Sequence, residues 1–249
     1  METSRMRLYL FFMAAFLIMH LTGVFVEGLP YIYNAIITFS IVLLFLLLFE
    51  WRLQKRNYLG ILYDLGLHKA TFLQVLPGIV VSAVLVLIYP LFGYFFHANI
   101  ILHEDWFLNL AGLCLTGGLA EEMLFRGFLF RRLRENMPFK KAALTAMVLF
   151  ATAHLVLFTY FDWQIALFST LLSVFIAVPL AYLFEKGNNT VWSPAIVHTT
   201  VRTIGMAVTT SEQNFLKLTL IWMVGSMVIP YVVLVFYKDF RSHYFLRWD

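Results

Sequence analysis

The chain is divided into long apolar runs, and this pattern limits the folds open to it more than any other feature. Runs of about 18–25 apolar residues are long enough to cross a hydrocarbon core of ~30 Å as α-helices. The 249 residues are 61% hydrophobic and 13% charged, whereas soluble domains carry roughly 25% charged residues. We therefore predict an all-α, polytopic transmembrane helical bundle of about eight spans. The predicted spans are 8–26, 31–49, 72–96, 106–130, 142–160, 163–184, 191–209 and 216–237.

The same pattern predicts a single integral-membrane domain over residues 1–249, with its chemistry in a core of about 106–209. The net charge of +4 is interpreted as a topology signal at the membrane face, and no nucleic-acid partner is predicted. Cys114 is the single cysteine, which excludes an intrachain disulfide and a cysteine-based zinc site.

The orientation follows from the connections that hold lysine and arginine. Positive charge favours the cytoplasm, so we predict that both termini are cytoplasmic, in the plasma (inner) membrane if the protein is bacterial. Arg131–Arg134 is expected to continue the fourth span as a helix whose arginines meet lipid headgroups. The basic residues assigned to the cytoplasmic side are Arg5, Arg7, Arg52, Lys55, Arg56, Lys69, Arg131, Arg132, Arg134, Lys140, Lys141, Lys186, Lys238, Arg241 and Arg247.

Three charged residues interrupt the fourth span, at Glu121, Glu122 and Arg126. A charge at the bilayer centre costs roughly 2.5–3.5 kcal/mol on insertion scales, so intramembrane charges are expected to pair or to have a function. Glu122 and Arg126 have the i,i+4 spacing of a helical ion pair. Glu121 points about 100° away from Glu122 on an α-helix, which leaves this carboxylate available for chemistry.

Other polar residues lie at similar depths in neighbouring spans: His154 in the fifth, and His198 and Arg202 in the seventh. We predict that His154, His198 and Glu121 meet in one cavity. A shielded glutamate can act as a general base on water, and a histidine or arginine can donate to the oxyanion that forms at a carbonyl. The same Glu121, His154 and His198 are also a plausible ligand set for a divalent metal such as zinc. The remaining histidines, including His20, are assigned no role.

Three motifs in separate predicted spans resemble those of the CPBP family, the type II CAAX prenyl endopeptidases and bacteriocin-processing enzymes, which are helical intramembrane proteases. The motifs occur in the family's order, and their combination is far more specific than any one of them. They are Glu121-Glu122-x-x-x-Arg126, Phe150-x-x-x-His154 and Asn189-x-x-Trp192-x-x-x-Ile196-x-His198.

The resemblance implies an endopeptidase that acts on a membrane-associated or lipidated peptide or protein. Glu121 and His154 would activate the water, while Glu122 and Arg126 would hold the helix in position. His198 would stabilise the oxyanion or contribute to a metal site. We expect the cavity to open toward the cytoplasm.

Two further residues follow from the comparison with the family pattern. Phe150 is expected to pack beside the catalytic centre. The family usually has an asparagine four residues after the last histidine, where this chain has Arg202. An arginine there can donate to an oxyanion, or it can form an ion pair with a glutamate and suppress catalysis.

Two functions outside proteolysis compete with this interpretation. One is a catalytically silent family member that acts as a membrane scaffold or immunity protein, an alternative motivated by Arg202. The other is a proton-coupled transporter, in which acids and histidines form a relay. Such transporters are typically built from inverted repeats, and the sequence contains no internal repeat. Gly117, Gly118 and Gly127 are expected to let neighbouring helices approach closely.

Overall fold

The chain folds as an almost entirely helical bundle, as expected for a structure that must satisfy its backbone hydrogen bonds within lipid. The computed structural model describes residues 2–54, 57–159 and 162–242. Lys55, Arg56 and Arg247 of the predicted cytoplasmic set lie outside these residues. The α-helices are α1 (Glu2–Phe25), α2 (Tyr31–Gln54), α3 (Tyr58–Asp64), α4 (Phe72–Val86), α5 (Ile88–Phe96), α6 (Trp106–Leu113), α7 (Arg131–Arg134), α8 (Phe139–His154), α9 (Trp163–Lys186), α10 (Trp192–Val201), α11 (Glu212–Leu234) and α12 (Lys238–Arg241).

Six helical stretches in the described part of the chain are long and apolar enough to cross a membrane. They correspond to the first, second, third, fifth, sixth and eighth predicted spans, and the chain is an integral membrane protein. The stretches are Met6–Phe25, Tyr31–Arg52, Phe72–Phe96, Phe139–Thr159, Trp163–Lys186 and Glu212–Leu234.

The fourth predicted span is a helix of mixed geometry. Between α6 and α7 the backbone forms two π-helical segments, π1 (Cys114–Glu121) and π2 (Met123–Phe130). Glu122 lies at the junction between them. π-Helical turns are rare and are found most often at functional sites. The widened turns contain Glu121 and Arg126 and flank Glu122.

The seventh predicted span, 191–209, differs most from expectation. Its helix is α10, with 10 residues, so at ~1.5 Å per residue it covers only about half of the hydrocarbon core. The helix ends at Val201, whose carbonyl accepts a hydrogen bond from the buried Trp222 indole at 2.9 Å. The chain then turns into β2 (Val208–Thr209), which pairs antiparallel with β1 (Ile101–Leu102). This ending places Arg202 at the helix terminus inside the protein.

Glycines bring α10 close to its neighbours. The Gly78 amide in α4 donates to Ser193 Oγ at 3.1 Å, and a Cβ on Gly78 would collide with the Ser193 backbone. A Cβ on Gly118 in π1 would collide with the Thr199 side chain. Gly127 lies directly against the Leu65 backbone. Small residues at these contacts allow helices to approach, as predicted for Gly118 and Gly127.

The basic end of the fourth span is helical as predicted, and its arginines pair with acids of neighbouring elements. Arg131 Nη2 lies 2.6 Å from Asp64 Oδ1. Arg132 pairs with Glu50 of α2 and Arg134 with Glu185 of α9. These partners are distant in sequence and were not predicted, while contact of the arginines with lipid headgroups stays a prediction. The pairs join α2, α3 and α9 to one helix end.

Candidate active site

The predicted helical ion pair is present in the core. Arg126 Nη1 lies 2.8 Å from Glu122 Oε1, and the two side chains are 3% and 0% exposed. Burial of one charge without the other would be strongly unfavourable. The guanidinium also lies over the Phe150 ring, 5.3 Å from its centroid. Phe150 therefore packs beside the charged centre, where the sequence placed it.

His198 of α10 is held by the same carboxylate. Its Nδ1 lies 2.6 Å from Glu122 Oε1, and its side chain is 6% exposed. With Glu122 ionised, Nδ1 carries the proton and donates it to the carboxylate. Nε2 is then the nitrogen directed toward Glu121, 3.6 Å from Oε2. The fold thus gives Glu122 a second role, which its sequence spacing with Arg126 did not reveal.

Glu121 is not a free carboxylate. Arg202 Nη1 donates to Glu121 Oε1 at 2.8 Å, across the contact between π1 and the end of α10. Two roles were predicted for Arg202, donation to an oxyanion or an ion pair with a glutamate. In the structure it forms the ion pair, with Glu121. The other oxygen, Oε2, faces His198. Glu121 therefore has one oxygen held by a cation and one directed at an imidazole.

His154 closes the last turn of α8. Its Nδ1 lies 2.9 Å from the Phe150 carbonyl oxygen, which can only accept, so Nδ1 is the protonated nitrogen of the neutral ring. Nε2 keeps its lone pair. The ring also packs edge-on against Phe150, with centroids 4.4 Å apart. This geometry fixes the orientation of the imidazole without another charged residue.

The loop before α10 holds that helix in place. Asn188 and Asn189 adopt left-handed backbone conformations, with φ of 60° and 59°, which asparagine tolerates better than most residues. The Trp192 indole then donates to the His68 carbonyl at 2.7 Å. Asn189 and Trp192 of the third motif therefore help to set the position from which His198 reaches Glu122.

Glu121, His154, His198 and Arg202 line one cavity of about 560 Å³. This volume lies within the ~300–1,000 Å³ typical of ligand sites. Glu122 and Arg126 lie behind the cavity wall and do not line it. The three residues predicted to meet are therefore at one cavity, although their catalytic roles stay predictions.

The sequence did not point to the opposite wall of the cavity, which α1 and α2 supply. His20, assigned no role from its position near a span end, lines the cavity with Tyr31, Asn34 and Thr38. Tyr31 hydrogen-bonds to Thr116 of π1 at 3.2 Å. Positions 31, 34 and 38 share one helical face, and this polar stripe in an apolar helix was the available signal.

The cavity extends toward connections that carry acidic residues. Its lining reaches Glu27 at the α1–α2 connection, and it includes Leu157 and Ile165 on either side of the α8–α9 connection. The arginines at the end of the fourth span are not among the lining residues.

The metal alternative fits these residues poorly. Within residues 2–54, 57–159 and 162–242, no three His, Cys, Asp or Glu side chains are grouped so that they could hold one ion. Glu121 already binds Arg202, and His198 Nδ1 already binds Glu122. The donors of this cavity therefore do not fit a metal ion.

Comparison with known proteins identifies one related family. Residues 103–204 match the family model of the type II CAAX prenyl endopeptidases, Rce1-like. This segment contains all three motifs and confirms the resemblance predicted from them. Neither the curated proteins nor the solved structures include a significant match to the chain.

Proposed function

We propose that this chain, whose residues 103–204 match the family model of the Rce1-like type II CAAX prenyl endopeptidases, is an intramembrane endopeptidase. It would hydrolyse a peptide bond of a membrane-associated or lipidated peptide or protein. The family supports proteolysis in general terms. The observation that carries the specific proposal is the position of Glu121, His154 and His198 on one cavity among apolar helices.

The water would bind beside Glu121 Oε2, the carboxylate oxygen that does not pair with Arg202. Glu121 Oε2 and His198 Nε2 are 3.6 Å apart, a separation at which one water on the cavity side can hydrogen-bond to both. Glu121 takes a proton from this water as its oxygen attacks the carbonyl carbon of the substrate. The proton then moves to the amide nitrogen as the C–N bond breaks, giving a carboxylic acid and an amine.

The neighbouring histidines complete the proposed mechanism. His154 keeps the Nε2 lone pair and can share the proton of the attacking water. Glu122 and Arg126 do not contact the cavity and act only through His198. Glu122 holds His198, and Arg126 pairs with Glu122. With Nδ1–H donating to Glu122, His198 Nε2 keeps its lone pair and is held in position to accept a hydrogen bond from the water.

The membrane orientation is part of the proposal. With both termini cytoplasmic and about eight crossings, the mixed helix 106–134 and the α10 region would supply the two crossings beyond the six apolar stretches. The α1–α2 connection, with Glu27, then lies on the non-cytoplasmic side. The cavity lining reaches Glu27 in that connection, so the cavity would be accessible from that side, and the opening toward the cytoplasm expected from the sequence stays a prediction.

Peptide cleavage tests the function directly. The protein is reconstituted in lipid nanodiscs with a library of quenched fluorescent peptides that carry apolar segments. We expect cleavage by the unmodified protein and a loss of about 10²–10⁴-fold in Glu121→Gln, the usual range for a general base. Glu104→Gln, the same change at an exposed loop residue, is the matched control.

Two outcomes would contradict the proposal. Equal cleavage by Glu121→Gln and the unmodified protein would show that another residue activates the water. Absence of cleavage across the library, with both proteins folded, would favour the catalytically silent scaffold, for which the Arg202–Glu121 ion pair is the motivating observation.

A further inference from the structure

Arg202 places an accessible positive charge on the cavity wall. Its side chain is 38% exposed, whereas that of its partner Glu121 is 11% exposed. Among the described residues that line the cavity, it is the single lysine or arginine. A ligand inside the cavity therefore meets one permanent cation, next to the carboxylate proposed to activate water.

The guanidinium has hydrogen-bonding capacity left for a ligand. An arginine carries five N–H donors in a planar fork. Within the part of the chain that the structure describes, Nη1 donates a hydrogen bond to Glu121 Oε1 at 2.8 Å, and the other donors of the guanidinium remain for a ligand. Arginine donates to carboxylates through two parallel hydrogen bonds, so a second carboxylate can engage the exposed edge of the fork and then compete with Glu121 for the guanidinium.

The neighbouring π1 segment leaves space for the Arg202 side chain. A Cβ on Gly117 would lie 2.6 Å from Cδ and Nη1 of Arg202. Gly117 therefore leaves the space in which the arginine side chain lies against π1. The side chain packs in a defined place rather than projecting into open volume.

The surroundings of Arg202 favour an apolar ligand with one anionic group. Val201, Ile176, Leu172 and Phe16 contribute apolar surface to the same cavity. We propose that Arg202 binds a carboxylate of the peptide substrate, which competes with Glu121 for the guanidinium. Substrate binding would draw the guanidinium away from Glu121 Oε1 and release the residue that activates water.

This inference rests on the proposed function and names the substrate class of the same site: apolar peptides that carry a carboxylate near the cleaved bond. The carboxylate can be the peptide's C-terminus or an acidic side chain. Both supply the same bidentate acceptor, and an experiment can separate them.

The first test compares peptides of one apolar sequence in three forms, assayed in phosphatidylcholine nanodiscs. One form has a C-terminal amide and no acid, one a C-terminal carboxylate, and one a C-terminal amide with an internal glutamate. We expect one acidic form to be cleaved at least about tenfold more efficiently than the neutral form, because charge-assisted hydrogen bonds contribute on this scale. The preferred form identifies the source of the carboxylate.

Variants of Arg202 distinguish binding from a structural effect. In Arg202→Asn, the preference for the acidic peptide should fall to within about twofold, since no cation is left to recognise the carboxylate. Arg202→Lys keeps the charge and should retain part of the preference. Arg52→Asn, the same substitution at an exposed arginine of α2, should leave the preference unchanged. Equal cleavage of all forms, or a preference that survives Arg202→Asn, would overturn the inference.

The second test measures binding without cleavage. In Glu121→Gln, Arg202 loses its competing partner, so fluorescence anisotropy should show the acidic peptide binding more tightly than to the unmodified protein. The neutral peptide should bind equally to both. Equal affinity of acidic and neutral peptides for Glu121→Gln would overturn the inference even if no peptide were cleaved, which separates its failure from that of the proposed function. Loss of the acidic preference in phosphatidylglycerol nanodiscs would assign Arg202 to a lipid phosphate instead.

Discussion

His198 Nδ1 lies 2.6 Å from Glu122 Oε1, which joins α10 to the acid that its own helix already pairs with Arg126. One carboxylate oxygen thus receives two donors from positions 4 and 76 residues away in the chain. Both interactions lie in a buried environment, where an incomplete pair is costly.

We therefore expect Glu122→Gln to be destabilising. The substitution leaves Arg126 buried without a charged partner and weakens the hold on His198, which should lower the free energy of unfolding by about 3–5 kcal/mol. Unfolding in detergent measures this change. Glu104→Gln should stay within about 0.5 kcal/mol of the unmodified protein, and an equally small effect for Glu122→Gln would contradict the buried pairing.

His154→Gln should separate activity from stability. The side chain hydrogen-bonds to a carbonyl of its own helix, so its removal leaves no buried charge behind. Peptide cleavage should fall by about 10²–10⁴-fold, as for loss of an acid–base group, with little change in the unfolding transition. A large loss of stability with unchanged cleavage in the surviving folded fraction would show that His154 is structural.

Close packing at Gly78 predicts a stability difference between two glycine substitutions. Gly78→Ala would push a methyl group into the Ser193 backbone, and overpacking of this kind costs about 1–3 kcal/mol. Gly23→Ala is the matched control, since nothing lies within 4 Å of its added Cβ. Gly23→Ala should be neutral or stabilising, because alanine has the higher helix propensity. Equal unfolding transitions for the two variants would contradict the tight α4–α10 contact.

Peptide cleavage should persist in a metal chelator. The reason is the arrangement of donors: in the described ranges no three His, Cys, Asp or Glu side chains are grouped so that they could hold a metal ion. Two of the candidate ligands already have other partners, since Glu121 binds Arg202 and His198 binds Glu122. The measurement is the cleavage rate with and without 1,10-phenanthroline, with a zinc peptidase as positive control. Loss of activity that added zinc restores would refute the metal-free mechanism.

Much of the helical architecture could be predicted from local sequence. Long apolar runs predict helices because lipid leaves few other ways to satisfy backbone hydrogen bonds. Six predicted spans correspond to stretches of sufficient length and apolarity. The α10 region was misjudged because apolar composition continues past Val201, whereas the chain turns there and pairs β2 with β1. Apolar composition indicates that this segment is buried, but it does not distinguish a helix from a buried turn.

The residues of the candidate site were recognisable from sequence, but several of their partners were not. Intramembrane charges are costly, so Glu121, Glu122 and Arg126 were conspicuous, and the i,i+4 pair formed as expected. The pairing of Arg131 with Asp64, in contrast, was not predicted. His20 was passed over because a single histidine near a span end carries no local signal.

The sequence by itself determined the apolar lengths, the buried charges and the motif order, because each depends on the cost of placing a residue type in lipid or on helical spacing. Only the tertiary structure determined which charged side chains form ion pairs with each other. Arg202 and Glu121 are 81 residues apart in the chain, and their contact exists because α10 ends beside π1, where Gly117 leaves room for the arginine. Such a contact depends on the packing of two elements, and no local pattern encodes it.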